Sequence, residues 1–413
     1  MHGSELMLDS PRKSPMQKIW LAGASTTLVV VSFAMFGPVL AVLLQAKGYG
    51  TAAVGAFAMI AFACVAVLMP FMPRLVSRFG LGHCYLAGML METAATLGYS
   101  LTNSFAAWCS CAVLGGMGAA AVWNCTESLI AQQSPPALRG RITGLYQTAL
   151  GGALAAGPFI PALLGWAAPT TLAAAAAIQT SALVMVVVSG VWRDNPAADA
   201  HLYAHCQANA AMPAPASSPL VTEQAMTTSG AFRAAPVLVA ISFVGGVFEV
   251  GLSSVSAAHT AGIGLSLAQA SSVAGAFGLG SFMLQLPAGM AADRYSQRAV
   301  FGMAGVILMA SVLAFLLSGA YPWLLWAAAG LWGGVGGALY TLAMIRVAHE
   351  FGATAVAAGT AAMITGYTLG GAVGPLVSGA ALQWVGPLGL VSWLGVLAAG
   401  VVLLSRKLPR PAV

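Results

Sequence analysis

Few ionisable side chains lie inside the long apolar stretches of this chain, and those few are where chemistry could occur. Glu92, Glu127, Glu249 and Arg346 fall within runs rich in Ala, Leu, Val and Gly. Such a group is costly to bury in an apolar run and by default marks a substrate, ion or proton pathway. A carboxylate there can carry a proton or hold a cation. The plainer reading is a Glu hydrogen-bonded to a neighbouring Ser or to backbone. Arg78, Asp293 and Arg294 stand at the ends of apolar runs, where an Arg and a carboxylate on adjacent helices can form an ion pair that breaks when the helices move. Arg139 and Arg141 open another run, and Arg346 ends one; these read as loop-side cations or helix-end anchors. His259 near the end of a run could titrate, but a lone exposed His carries little weight. No His/Asp/Ser constellation supports an enzyme. The six cysteines, Cys64, Cys84, Cys109, Cys111, Cys125 and Cys206, lack metal-ligand spacing, so neither metal nor cofactor is expected. There is no Gly-x-x-x-x-Gly-Lys-Ser/Thr loop, so direct ATP drive is not supported.

The elements that must position these residues follow from composition. The chain has 413 residues, 59% hydrophobic and 6% charged, with a mean hydropathy of +0.87. A soluble fold could not hide that apolar surface, whereas a lipid bilayer accepts it. About twenty apolar residues cross a bilayer as a helix. That ruler predicts spans near 20–45, 51–72, 82–102, 105–130, 142–166 and 168–192, then near 236–258, 266–291, 298–319, 321–347, 355–382 and 385–406. Pro169 marks a tight turn between the fifth and sixth. The stretch from Arg193 to Ala235 is polar or small, carries Pro196, Pro213, Pro215 and Pro219, and reads as a cytoplasmic linker with at most one short surface helix. The predicted organisation is an N-terminal six-helix bundle over 1–192, a linker over 193–234 and a C-terminal six-helix bundle over 235–413.

Charge sets the orientation. Of the 16 Lys and Arg residues, all but Lys47 fall in alternate loops or at their edges. Cytoplasmic loops are enriched in Lys and Arg, so both termini are expected in the cytoplasm. Residues before Ile19 are polar and basic, and the apolar run that follows exceeds a signal-peptide core, so it should stay as the first span of an inner-membrane protein. Long helical runs argue against an outer-membrane barrel. The net charge of +6 is loop-located, without the continuous basic face that nucleic-acid binding needs.

The halves look like copies. Gly115-Gly116-x-Gly118 matches Gly333-Gly334-x-Gly336, Gly157-Pro158 matches Gly374-Pro375, and Arg78 matches Arg294, all at offsets of 216–218 residues. Duplicated parallel six-helix halves are a transporter plan in which substrate binds between the halves near the bilayer midplane. The Gly patches let helices approach closely in lipid. The Gly-Pro pairs invite kinks, since Pro lacks the donor its turn needs.

At this point the chain resembles the major facilitator superfamily. That superfamily's pattern Gly-x-Leu-x-Asp-Arg-x-Gly-Arg-Arg, in the loops after spans two and eight, is matched by Gly289 to Arg298, which keep the first Gly, Asp293-Arg294 and the last Arg. The other copy, Pro73 to Gly82, keeps Leu75, Arg78 and Gly80 but has Ser77 where the aspartate belongs. Trp123-x-x-x-Glu127-Ser128, Arg139-Gly140-Arg141 and Gly370-Gly371-x-x-Gly374-Pro375 are similar to the bacterial YcaD-type branch. The resemblance implies twelve transmembrane helices in two pseudo-symmetric bundles, an all-α integral membrane fold that works by alternating access.

It also assigns roles. Arg78 with Glu127 would form one cytoplasmic latch, and Asp293 with Arg294 a second; without an acid at Ser77 the first should be the weaker. The seventh helix lines the central pathway in this superfamily, so Glu249, ahead of Glu92, is the substrate or proton candidate. Ala112 stands where proton-coupled drug antiporters carry an arginine, and Phe159-Ile160-Pro161 follows Gly157-Pro158 in place of paired glycines. Both departures weigh against drug antiport. The expected function is proton-coupled secondary transport of a small solute by a monomer. The alternatives are a non-transporting membrane receptor or scaffold with the same fold, or a drug efflux antiporter.

Overall fold

The computed structural model describes residues 14–135, 138–193, 228–351 and 356–408. Among the described residues the regular structure is helical throughout, and twelve long helical segments cross the molecule in alternating directions. The first six are α1 (Pro15–Ala46), α2 (Thr51–Leu68, a 3-10 turn Met69–Phe71, then Met72–Phe79), α3 (Leu81–Leu101), α4 (Phe105–Gln133), α5 (Arg139–Leu164) and α6 (Ala168–Ser189). The second six are α7 (Pro236–Gly246, a π-helical turn Val247–Gly251, then Ser253–Gly262), α8 (Leu267–Arg294), α9 (Gln297–Leu317), α10 (Leu324–Glu350), α11 (Val356–Trp384) and α12 (Pro387–Ser405). Nine of these are individually long and apolar enough to cross a bilayer, and the bent α7 makes a tenth. The remaining two are α3, which carries Glu92, and α11, which is rich in Gly and Thr.

Local sequence explains most boundaries. Ser14 caps α1 through a reciprocal box with Gln17, so the helix starts five residues before the predicted 20. Gly165 at φ +63° ends α5 in the left-handed conformation, and Pro169 sits in the first turn of α6, so the expected tight turn forms there. Pro70 converts the middle of α2 to a 3-10 turn, and helix resumes as far as Phe79. The residues assigned to loops after spans two and eight are thus largely the last turns of α2 and α8. Pro158, Pro161 and Pro375 lie inside unbroken helices. The sharp break occurs elsewhere, in α7, which bends by 41° after its π turn.

Of the predicted linker, residues 194–227 lie outside the described ones. Thr228–Ala234 forms a short helix whose Ala231 is fully buried in the core of the second bundle, so these seven residues belong with that bundle.

The cores show how the bundles meet. One large cluster joins Phe248, Phe277, Phe301, Trp332 and Leu339 within the second half. Another, around Met72, Tyr85, Met89 and Leu129, stays within the first. A third crosses between halves, placing Ala257 and Ala258 of α7 against Met35, Leu40 and Phe57. That crossing lies at the face opposite the chain termini, and other cross-half contacts follow it. Thr51 donates to the Gly379 carbonyl at 2.9 Å and the Ala52 amide to Gln383 Oε1 at 2.9 Å. On the second seam a Cβ at Gly278 would run into the Leu154 and Ala155 backbone, and one at Gly379 into the Thr51 backbone. Small residues let helix backbones touch where a side chain would hold them apart. The contacts fall at residues 51–62 of α2 with 371–383 of α11, and 151–159 of α5 with 275–282 of α8, all away from the terminal face.

Gly278→Leu should wedge this seam. We expect it to destabilise the purified protein by about 1–3 kcal/mol through overpacking, and to speed labelling of a cysteine placed at Ala58 from the face opposite the termini. An unchanged melting temperature with unchanged labelling would remove the seam as the closed side.

Candidate functional site

Glu249 is carried by the π turn of α7 and is half-buried. A π turn widens the helix and turns a side chain out of the regular register, and such turns concentrate at functional sites. Here it aims the carboxylate at α8 and α11. Ser281 of α8 donates to Oε1 at 2.6 Å, and the Tyr367 hydroxyl of α11 donates to Oε2 at 2.7 Å. Both oxygens accept from a hydroxyl, the arrangement that suits an ionised carboxylate. Ser281 in turn accepts from Gln285 Nε2 at 3.2 Å, and Gln285 Oε1 accepts from Thr341 at 3.1 Å. The chain of polar groups therefore runs from Glu249 along α8 and α10 toward the terminal face. The absence of a side chain at Gly337 makes room for it: a Cβ there would sit 2.6 Å from Oε1.

Beside Glu249 is a cavity of about 100 Å³ between the halves, lined from α1, α2, α3, α4 and α5 on one side and α7 and α8 on the other. Its walls are mainly aromatic and aliphatic; Phe33 packs edge-on to both Phe36 and Phe62. Among the described residues the polar lining is Glu249, Ser253, Ser254, Ser281 and Tyr99, with no Lys, Arg or His. Ala112, where an arginine was looked for, lines it as well.

The structure separates the other sequence-selected residues. Glu92 is 7% exposed in the seam of α3 and α4, beside Gly115 and Gly118, with no hydrogen bond to its carboxyl among the described residues. It does not line the central cavity. Each bundle thus shelters a glutamate over its Gly-rich patch, but Glu249 lines the cavity between the halves and Glu92 does not. Glu127 accepts from Trp123 Nε1 at 2.7 Å, with Gln147 of α5 close by. Arg78 is exposed at the tip of α2, its guanidinium 5.4 Å from the Phe79 ring centre. The expected Arg78–Glu127 ion pair is therefore not formed, because the Glu127 oxygens face α5 while Arg78 projects beyond the bundle. Glu127 and Glu249 both lie within electrostatic reach of the Tyr340 hydroxyl, and Tyr340 packs on Tyr367 with ring centres 4.7 Å apart.

Arg294 is exposed in the last turn of α8, where a cation complements the helix dipole. The side chains of Asp293, Arg139 and Arg141 lie outside the described residues. Arg346 corrects the loop-side reading: it is inside α10, 7% exposed, and donates to Gln297 Oε1 at 2.6 Å. His259 is half-buried against Phe315, with rings 5.6 Å apart, and not exposed as expected. Ser281, Gln285, Thr341, Tyr340 and Tyr367 were missed by the sequence reading, which weighed ionisable groups and passed over neutral polar ones. Gln285 in an apolar span was the available signal.

Comparison with known proteins gives consistent results. The sequence profile described as Major Facilitator Superfamily matches residues 22–261 and 237–413. The chain is 24% identical over 291 residues to an uncharacterized MFS-type transporter, YfkF, of Bacillus subtilis (strain 168), covering 70% of this chain and 68% of that one. Its fold is similar to solved structures of the nucleoside transporter NupG (TM-score 0.70, 13% identity, 95% and 98% of the two chains). A bacterial homolog of the human lysosomal transporter Spinster (0.70, 16%, 98% and 98%) and a D-xylose-proton symporter (0.69, 12%, 95% and 97%) are similarly alike. At such identities the structures speak for the fold alone; the matches identify a superfamily and no branch within it.

Two substitutions separate the glutamates. Glu249→Leu leaves two hydroxyls without their acceptor and should cost about 1–3 kcal/mol for each left unsatisfied. Glu92→Met removes a buried polar group that has no partner, so it should leave the melting temperature unchanged or raise it. Equal losses from the two would show that Glu249 is no better integrated than Glu92.

Proposed function

Because the chain belongs to the Major Facilitator Superfamily and is a multi-pass membrane transporter, we propose that it moves a small solute across the bacterial inner membrane by alternating access, coupled to protons through Glu249. The observation that carries this reading is the position of Glu249. It is a carboxylate at the line where the two bundles meet, beside a cavity both bundles line, and at the end of a polar chain leading to the terminal face. A carboxylate held by two hydroxyl donors can lose its charge and keep its place, because the protonated group still accepts on one oxygen and donates from the other.

With the termini in the cytoplasm, as the charge pattern reads, the seam at the face opposite the termini faces outward. In this conformation Glu127 accepts from Trp123 and Arg78 lies exposed, so the first latch is not made. Arg78 with Glu127, and Arg294 with Asp293, would then pair only when the cytoplasmic ends close. The loop cations Arg139 and Arg141 serve as topological anchors.

Purified protein in liposomes tests the assignment. An inward proton gradient should drive accumulation or release of solute by the wild type, while Glu249→Gln should lose gradient-driven flux and retain solute exchange in the absence of a gradient. Gradient-driven flux that survives in Glu249→Gln at wild-type rate would place coupling elsewhere. Absence of solute exchange in the wild type across a broad panel would favour a receptor or scaffold.

A further inference from the structure

We infer that the central cavity selects a small organic monocation with an apolar body, an alkyl- or arylammonium, whose charge seats against Glu249 and whose body lies among Phe33, Phe36, Phe57, Phe62 and Phe277. This rests on the reading of that cavity as the solute pathway.

Three independent features of the cavity point the same way. The first is its sign. Among the described residues Glu249 is the single acid in the lining and no cation lines the cavity to balance it. Ala112 contributes a methyl group where an arginine would have supplied a positive charge. Arg346 of α10, a buried cation outside the lining, donates to Gln297 at the start of α9. An anionic solute would meet a carboxylate with nothing to offset the repulsion, in surroundings that screen poorly. The second feature is the wall. Five phenylalanines surround the space, and aromatic faces attract a cation through their quadrupole while accepting an apolar body. The third is the lack of polar readers. A sugar or nucleoside needs several fixed hydrogen-bond partners, and leaving its hydroxyls unpaired is costly. The lining offers three serines and Tyr99 besides Glu249, and Ser281 is already spent on Glu249.

The approach has the same character. Tyr340, which packs on the Tyr367 that bonds Glu249, has Glu127 of the first half as well as Glu249 of the second in its electrostatic surroundings. Paired acids along a low-dielectric path raise the local concentration of cations. Gln285 and Thr341, which continue the polar chain from Glu249, are neutral.

The probe is benzyltrimethylammonium, whose charge is permanent, so any pH effect on its binding reads the protein. Binding of radiolabelled benzyltrimethylammonium to the full purified chain is compared with benzenesulfonate, an anion of related size, and with D-glucose. Saturable binding of the cation alone is expected, weakened at least tenfold in Glu249→Gln and weakened in the wild type as pH falls and the carboxylate loses its charge. Phe62→Leu, which keeps an apolar wall without the aromatic face, should weaken it several-fold. Equal binding of benzenesulfonate or D-glucose to the wild type, or cation binding that Glu249→Gln leaves intact while the variant melts like the wild type, overturns the inference. If the variant does not fold, the wild-type comparison of cation with anion and sugar decides alone. Solute exchange in liposomes keeps the two readings apart. Cation binding without exchange supports the cation site and counts against transport. Exchange of another solute without cation binding overturns the cation site and leaves transport standing.

Discussion

Two hydroxyls from different helices hold one carboxylate at the boundary between the bundles, and much of the surrounding architecture serves that contact. An ionisable group at membrane depth must be partnered or solvated. Glu249 achieves this through Ser281 on α8 and Tyr367 on α11, so three helices of the second bundle converge on one side chain. The π turn of α7 provides the aim, and Gly337 of α10 provides the space. A regular helix at Val247–Gly251 would change the direction of the side chain, and any side chain at 337 would displace it. The site thus depends on two backbone features as much as on its polar atoms.

The second constraint is close approach. On the face opposite the termini the bundles touch through backbone, at Gly278 against Leu154 and at Gly379 against Thr51, with two hydrogen bonds from the start of α2 to α11. No ion pair among the described residues fastens this side. A seam made of small residues and few directional bonds can part without stranding charges in lipid, which suits a surface that must open and close. The opposite ends carry the charged residues Arg78 and Arg294, and both are exposed. The asymmetry between a neutral seam and charged tips is what alternating closure would require of the two faces.

Much of this was legible from sequence, for physical reasons. Apolar runs of spanning length report helices directly, and the repeated Gly patterns reported the duplication, because close packing in lipid leaves few substitutes for glycine. Glu249 stood out because charge in an apolar run is costly. Its partners did not. Ser281, Tyr367 and Tyr340 are ordinary residues for such helices, and what matters is the convergence of α7, α8, α10 and α11, which no local pattern encodes. The break in α7 was equally hidden: the expected kinks lay at Pro158 and Pro375, yet these helices continue unbroken through them while the proline-free Val247–Gly251 yields. The Arg78–Glu127 contact is absent in this conformation for a related reason: topology placed both near one membrane face, but here Glu127 accepts from Trp123 of its own helix while Arg78 lies exposed at the tip of α2. The Gly-rich patches predicted close packing without saying that each would cover a glutamate, Glu92 in one bundle and Glu249 in the other.

The central claim is that protons couple to alternating access through Glu249, so that the charge on this carboxylate at the bundle boundary sets which face of the pathway is closed. The most direct measurement is the distance between spin labels at Ser77→Cys and Ser296→Cys, at the tips of α2 and α8, as pH is varied in lipid nanodiscs. The account predicts that the distance shortens as pH falls in the wild type, and that Glu249→Gln shows the short distance at every pH. A distance that ignores pH in the wild type, or a Glu249→Gln variant that follows pH as the wild type does, would contradict it.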